Sequence, residues 1–323
     1  MSSEFDLIRR YFTHAVKHTD LGVGDDAALL RCRPGMQLAV STDMLVADTH
    51  FFADTDPYDL GWKALAVNVS DLAAMGAEPR WALLAVSLPQ PDESWVAAFA
   101  RGFLDCAHRF GVDLIGGDTT RGPLNLAVTI FGEVPAGKAV TRAGAQAGDD
   151  LWVSGQPGRA ALGLASLRGQ LKLAPAGQLE CLAALHRPQP RVALGLELRE
   201  VASAMLDVSD GLLGDLAHLL ERSGVGAVID EAALPIAPLL ACGANAAAAR
   251  TALLSGGDDY ELLFAAPSSA RAKVQAAART LDLAINRIGT LTDQAGQLLI
   301  RNPGGELSAQ APLGYDHFRP HAP

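Results

Sequence analysis

Aspartates set beside glycine, serine or threonine recur in six short groups along this 323-residue chain: Gly24-Asp25-Asp26, Thr42-Asp43, Asn68-Val69-Ser70-Asp71, Gly117-Asp118, Asp207-Val208-Ser209-Asp210 and Gly257-Asp258-Asp259. Most fall where the pattern predicts the end of a strand, the place in an α/β fold where loops carry function. Any one of them alone reads as a turn residue or a helix cap. Asp149-Asp150, which has the same Gly-Asp-Asp form, reads as a plain interdomain turn. Converging on one cleft, the six groups would make a set of hard oxygen ligands suited to Mg2+ and unsuited to zinc. The sequence carries no EF-hand loop, no Gly-Lys-Ser phosphate loop, no His-Arg-Asp kinase loop and no Gly-x-Gly-x-x-Gly. A polyphosphate would have to be held mainly through metal. The residues by themselves point to a Mg2+-dependent enzyme of phosphate chemistry, with a Mg2+-dependent phosphohydrolase and a non-catalytic nucleotide-binding protein as the rival classes.

The elements that must position these groups follow from periodicity and punctuation. A strand over residues 38–41 runs into Ser41-Thr42-Asp43. A helix over 58–75 is closed by Gly76 and Pro79, and on it Asn68 and Asp71 interrupt a stripe shared with Ala64 and Met75. A strand over 81–88 is followed by a helix from the Asp92 cap to Gly111. Further strands cover 114–115, ending at Gly116-Gly117-Asp118, and 125–132. At the start of the chain, Phe5, Ile8, Phe12 and Ala15 predict a helix over 3–18, with His14 and His18 one turn apart on a solvated face. Glycine and alanine become dense over 137–148, which sets the expected domains at 1–147 and 148–323. The second domain is read as strands at 151–153, 205–206, 227–229, 261–265 and 285–289. Its helices cover 157–167, 191–201 and 268–281, with another following the loop at 207–211 and ending by Gly224. Two α/β domains are the simplest account.

Composition narrows the class. Hydrophobic residues at 49% and charged residues at 19% fit a folded α/β protein, and a net charge of −10 argues against nucleic acid or an anionic membrane as partner. Cys32, Cys106, Cys181 and Cys242 are scattered without a C-x-x-C pair, as expected of reduced thiols in the cytoplasm. The uncharged run from Ala232 to Ala249 is broken by Pro235, Pro238, Gly243 and Asn245 and reads as a loop and a packed helix, not a membrane span.

Taken in order, GVGDDAALL from Gly22, STDMLVADTHF from Ser41, KALAVNVSDLAAMGAEP from Lys63, LIGGDTTRGP from Leu114, VTRAGA from Val140, LDVSDGLLGDL from Leu206, SGGDDYELLF from Ser255 and GYDHF from Gly314 closely resemble the bacterial thiamine-monophosphate kinases, a family of the aminoimidazole ribonucleotide synthetase superfamily. The resemblance covers essentially the whole chain. It implies an aminoimidazole ribonucleotide synthetase-like fold, with an N-terminal α/β domain that dimerises through its sheet and a C-terminal α/β domain. It implies ATP as co-substrate, thiamine monophosphate as acceptor and several Mg2+ ions. By position, Asp26, Ser41, Thr42, Asp43, Asp71, Asp118, Asp207 and Asp210 match magnesium ligands. Gly117, Asp118, Arg142 and Ser209 match ATP contacts, and His50, Asp258 and Tyr315 match contacts to thiamine phosphate. The family often carries Glu where this chain has Asp258, one methylene shorter. Sister enzymes of the superfamily remain as rivals: one forming selenophosphate would need a reactive cysteine near the N-terminus, and none precedes Cys32.

Overall fold

The computed structural model describes residues 4–90, 92–311 and 314–315. The chain divides into two compact units, residues 1–139 and 140–323, the break falling inside the glycine- and alanine-dense stretch. Residues just after the break already belong to the second unit: the Thr141 carbonyl accepts the Met205 N–H at 3.0 Å, and the Arg142 carbonyl accepts the Ser223 hydroxyl at 2.9 Å.

The first unit opens with α1 (Glu4–Leu7) and a π-helical turn, Ile8–Phe12. The helix expected over 3–18 stops there, with Thr13 already extended at φ −95° and ψ 122°. The reason is Asp113, whose carboxylate accepts the N–H groups of Lys17 at 2.9 Å and His18 at 2.6 Å and the Thr19 hydroxyl at 2.9 Å. That anchor holds the stretch out of a helix, so His14 and His18 are not neighbours on one helical face; the His18 ring instead lies 3.2 Å from Arg80 Nη1. A short antiparallel pair, β1 (Thr19–Leu21) and β2 (Leu29–Leu30), follows. Then come β3 (Met36–Val46), α2 (Pro57–Ala74), β4 (Glu78–Leu88), α3 (Glu93–Phe110), β5 (Asp113–Arg121) and β6 (Asn125–Pro135). The last four strands named make a sheet in the order β3-β6-β4-β5, with only β4 and β5 parallel, as the helical crossover between them requires.

Both long helices start where the sequence places them. Asp56 accepts from the N–H of Tyr58 at 2.9 Å and Asp59 at 3.2 Å, with Pro57 opening α2; Asp92 does the same for Ser94 and Trp95 at 2.9 and 3.2 Å, and left-handed Gly111 ends α3. The two helices touch backbone to backbone. A Cβ on Gly61 would stand 2.1 Å from the Phe99 carbonyl oxygen, and one on Gly102 only 1.8 Å from that of Tyr58. The opposite face of the sheet is open and carries Leu38, Val40 and Met44, each 44–54% exposed.

The second unit contains β7 (Asp150–Ser154), α4 (Arg159–Leu167), α5 (Pro175–His186), α6 (Val192–Leu198), β8 (Ala204–Val208), α7 (Leu212–Ser223), β9 (Gly226–Asp230), α8 (Ala237–Ala241), α9 (Ala246–Ser255), β10 (Glu261–Ala266), α10 (Arg271–Thr280), β11 (Ile285–Thr292), β12 (Leu298–Arg301) and β13 (Leu307–Ala309). Its mixed sheet runs β13-β12-β9-β11-β7-β10-β8. Strands β7, β8 and β10 are buried at every position, which explains why they read as unbroken apolar runs and not as alternation. Asp150 is not a turn residue. It starts β7 and pairs with Arg271 at 2.5 Å and Arg287 at 3.2 Å; burial pushes its carboxyl up, but the two guanidiniums outweigh this and hold it below the usual range. Among the described residues no helix is long and apolar enough to cross a membrane, and the uncharged run is divided between α8, α9 and the turns around them.

Candidate active site

In the first unit Ser41, Thr42 and Asp43 fall on β3 and Asp71 on α2. Strand alternation points Ser41 and Asp43 toward α2 and turns Thr42 to the open face. There the Thr42 hydroxyl donates to the Val128 carbonyl at 3.0 Å and lies 3.1 Å from that of Thr129. On the α2 side, the Ser41 hydroxyl donates to Asp71 at 2.5 Å. Asn68, fully buried, donates to the Ala64 carbonyl at 3.0 Å and accepts the Asp43 N–H at 3.0 Å. The two polar residues that interrupt the apolar stripe of α2 are thus what ties the helix to the strand. Asn68 locks the Asp43 backbone, and Asp71 sits on Ser41.

Other positions in this unit stand apart from that cluster. The sheet register aligns Asp43 with Val128, Leu84 and Gly117, and Met44 with Ala127, Ala85 and Asp118. Asp118 therefore shares the open face with Met44, three strands from β3, or roughly 14 Å at ~4.8 Å per strand. Gly117 adopts φ 152°, and a Cβ there would stand 1.8 Å from the Leu84 carbonyl oxygen, so this position inside β5, next to Asp118, admits glycine alone. Asp26 is exposed in the loop joining β1 and β2. His50 closes the turn after β3: its Nδ1 accepts the Val46 N–H at 3.0 Å, which leaves the proton of the neutral ring on Nε2. Among the described residues no three carboxylate, imidazole or thiol side chains form a single ready-made metal cluster. The donors present are carboxylate and hydroxyl oxygens, the type of ligand that a hard cation takes.

The second unit gathers its site residues more tightly, around the loop between β8 and α7. Asp207 is buried at the end of β8, and Ser209 and Asp210 follow on the loop itself. Three carbonyls of this stretch hold neighbouring segments: Val208 accepts the Tyr260 N–H at 2.8 Å, Ser209 that of Asp258 at 2.8 Å, and Asp210 that of Tyr315 at 3.0 Å. Ser209, Asp210, Asp258 and Tyr315 thus belong to one hydrogen-bonded assembly, with Asp207 just before it on β8. Asp258 and Tyr260 take left-handed backbone angles, φ 68° and 52°, uncommon for residues with a side chain and often found where function holds them. Asp259 between them turns to α4, accepting the Gly158 N–H at 2.6 Å; burial pushes its carboxyl well above the usual range. Its carboxylate is thus spent on the start of α4. Arg142 is exposed at the beginning of this unit.

Two residues with a clear geometric part were not singled out from sequence. Asp215, on α7, accepts three backbone N–H groups of the loop, and burial pushes its carboxyl up to about 7. The Tyr260 hydroxyl donates to Asp258 at 3.0 Å and fixes that carboxylate. Losing such a bond costs about 1 kcal/mol, so Tyr260→Phe is expected to raise KM for the ligand of Asp258 roughly five-fold with kcat little changed. Steady-state kinetics check this, and an unchanged KM would count against the orienting part given to Tyr260.

The family model of the AIR synthase related protein N-terminal domain matches residues 24–134, and that of the C-terminal domain matches residues 146–300. Thiamine-monophosphate kinase of Escherichia coli strain K12 is 45% identical to this chain over 320 residues, which cover 98% of each protein. The crystal structure of thiamine-monophosphate kinase from Stenotrophomonas maltophilia K279a superposes with a TM-score of 0.83 at 47% identity, covering 89% of this chain and 92% of that one. AaThiL complexed with AMPPCP and TMP superposes with a TM-score of 0.77 at 30% identity, covering 97% and 96%.

Proposed function

The chain belongs to the thiamine-monophosphate kinases, within the AIR synthase related family, and from this premise we propose that it transfers the γ-phosphoryl group of ATP in line onto thiamine monophosphate, giving thiamine diphosphate and ADP in the cytoplasm. The observation that carries the reading is the loop after β8, where the metal position Asp210, the ATP position Ser209 and the substrate positions Asp258 and Tyr315 are hydrogen-bonded together, with the metal position Asp207 just before it at the end of β8. A relative of the same fold in complex with an ATP analogue and TMP supports both ligands.

The chemistry accounts for the residues present. The acceptor is a phosphate monoester with a second pKa of about 6, already dianionic near neutral pH, so no side chain is assigned as catalytic base. The obstacle is repulsion. Unit charges ~4 Å apart repel by roughly 4 kcal/mol at an effective dielectric of ~20, and two dianions by about four times that. Mg2+, when bound, supplies the neutralising charge and the alignment of donor and acceptor. The residues that would hold it are Asp26, Ser41, Asp43, Asp71, Asp118, Asp207 and Asp210, with Thr42 contributing from the main chain because its hydroxyl is engaged on the other face. Gly117, Asp118, Arg142 and Ser209 would meet ATP, Arg142 by a guanidinium on phosphate oxygens. His50 would offer its Nε2–H, and Asp258 and Tyr315 would contact the thiamine moiety. The deciding assay supplies Mg2+, ATP and thiamine monophosphate and looks for thiamine diphosphate with one ADP per product. Phosphate release without acceptor would favour a hydrolase, and a labelled phosphoprotein on the reaction path would rule out direct transfer.

The same reading makes the protein a homodimer through its N-terminal sheet. What supports it is the open face, where Leu38, Val40 and Met44 form an apolar row on a strand otherwise rich in polar groups. Val40→Asp is expected to convert the dimer to monomer, read by light scattering after gel filtration. A mass unchanged from the parent protein would remove this face as the interface.

A further inference from the structure

We infer that Asp215 is a positioning residue for the reaction: it clamps the loop of residues 208–211 so that the metal side and the substrate side of the site keep one fixed relation. The inference rests on the kinase reading above and names what sets that site's geometry. A single oxygen, Asp215 Oδ2, accepts from three consecutive N–H groups, those of Ser209 at 3.0 Å, Asp210 at 3.0 Å and Gly211 at 3.1 Å. The residue is 5% exposed and lies in the first turn of α7, with Gly211 at φ 119° making the curl that aims the three groups at one point.

With its N–H groups drawn to one side, the loop presents its carbonyls to the other. Those carbonyls hold Tyr260, Asp258 and Tyr315 at 2.8, 2.8 and 3.0 Å. The carboxylates proposed for metal and the segments proposed for substrate are thus joined through four consecutive residues whose shape one buried carboxylate fixes. Without it, three inward N–H groups would have no acceptor, and the loop would re-form to satisfy them, shifting both sides of the site together. Asp215 itself need touch neither metal nor substrate.

The test compares Asp215→Ala with Asp215→Asn in the full-length enzyme by steady-state kinetics in both substrates, Mg2+ titration and hydrogen exchange of residues 208–211. The alanine variant should lose about 100-fold or more in kcat/KM for thiamine monophosphate, the scale of an ångström-sized misplacement. It should also raise both that KM and the Mg2+ concentration for half-maximal rate, and lose amide protection over 208–211 while the β-strands keep theirs. The asparagine variant, whose amide oxygen still accepts, should stay within about 10-fold and keep the protection. Asparagine falling as far as alanine would show that the charge acts directly and would overturn the inference. So would an alanine variant with less folded enzyme but unchanged KM and Mg2+ requirement. A parent enzyme that makes no thiamine diphosphate would sink the kinase reading alone. The exchange experiment would then still decide about the clamp: protection lost in alanine and kept in asparagine supports it, and equal protection in both overturns it.

Discussion

Asp210→Asn is expected to lower kcat by at least about 10²–10³-fold, the scale set by removing one preorganised electrostatic contact, while leaving the fold as it is. The loop's own hydrogen bonds explain why the two effects separate. The Asp210 N–H goes to Asp215 and its carbonyl to the Tyr315 N–H, and neither bond uses the side chain. The substitution therefore removes negative charge from the site while keeping both of these main-chain bonds. Kinetics at rising Mg2+, with circular dichroism on the same samples, read both consequences. Near-parental turnover at saturating Mg2+ would take Asp210 out of the metal set.

The second large effect is on stability. Gly102→Ala places a methyl 1.8 Å from the Tyr58 carbonyl oxygen and 2.7 Å from its carbon, both main-chain atoms that cannot rotate away. Helices α2 and α3 would have to part, loosening the packing around Leu60, Phe99 and Phe103. Overpacking of this kind costs about 1–3 kcal/mol, which for a unit of this size lowers the melting temperature by roughly 3–12 °C. Because α2 also carries Asn68 and Asp71, activity should fall before the unit unfolds. Thermal unfolding followed at the tryptophans measures the shift; a melting temperature within a degree of the parent's would mean that the helices slide apart at no cost.

Local chemistry was legible in the sequence, and pairing at a distance was not. The caps at Asp92 and Gly111, the helix carrying Asn68 and Asp71, and the strand entering Ser41 all follow from residues within one or two turns of each other. The N-terminal helix failed because Asp113, about a hundred residues on, captures Lys17, His18 and Thr19. Strands β12 and β13 are short and border glycine-rich turns, so their alternation is too brief to register. The same limit shaped the site. The sequence places Ser41, Thr42 and Asp43 in one motif, but the strand's pleat separates them, and Asp118 lies across the sheet from Asp43. Asp215 was visible five residues beyond Asp210; that its carboxylate turns backward onto three amides is a fact of folded geometry that no spacing announces.

Strand β3 has a consequence for how such a sequence can change over time. Ser41 and Asp43 on its inward side are assigned to chemistry, and Leu38, Val40 and Met44 on the other form an apolar surface, so a substitution in one set leaves the other in place. Gaining or losing one residue within the strand would exchange the two sets, sending Met44 and Val40 against α2 and the acidic group out to the open face. Drift at β3 should therefore proceed by replacement and almost never by a change in length.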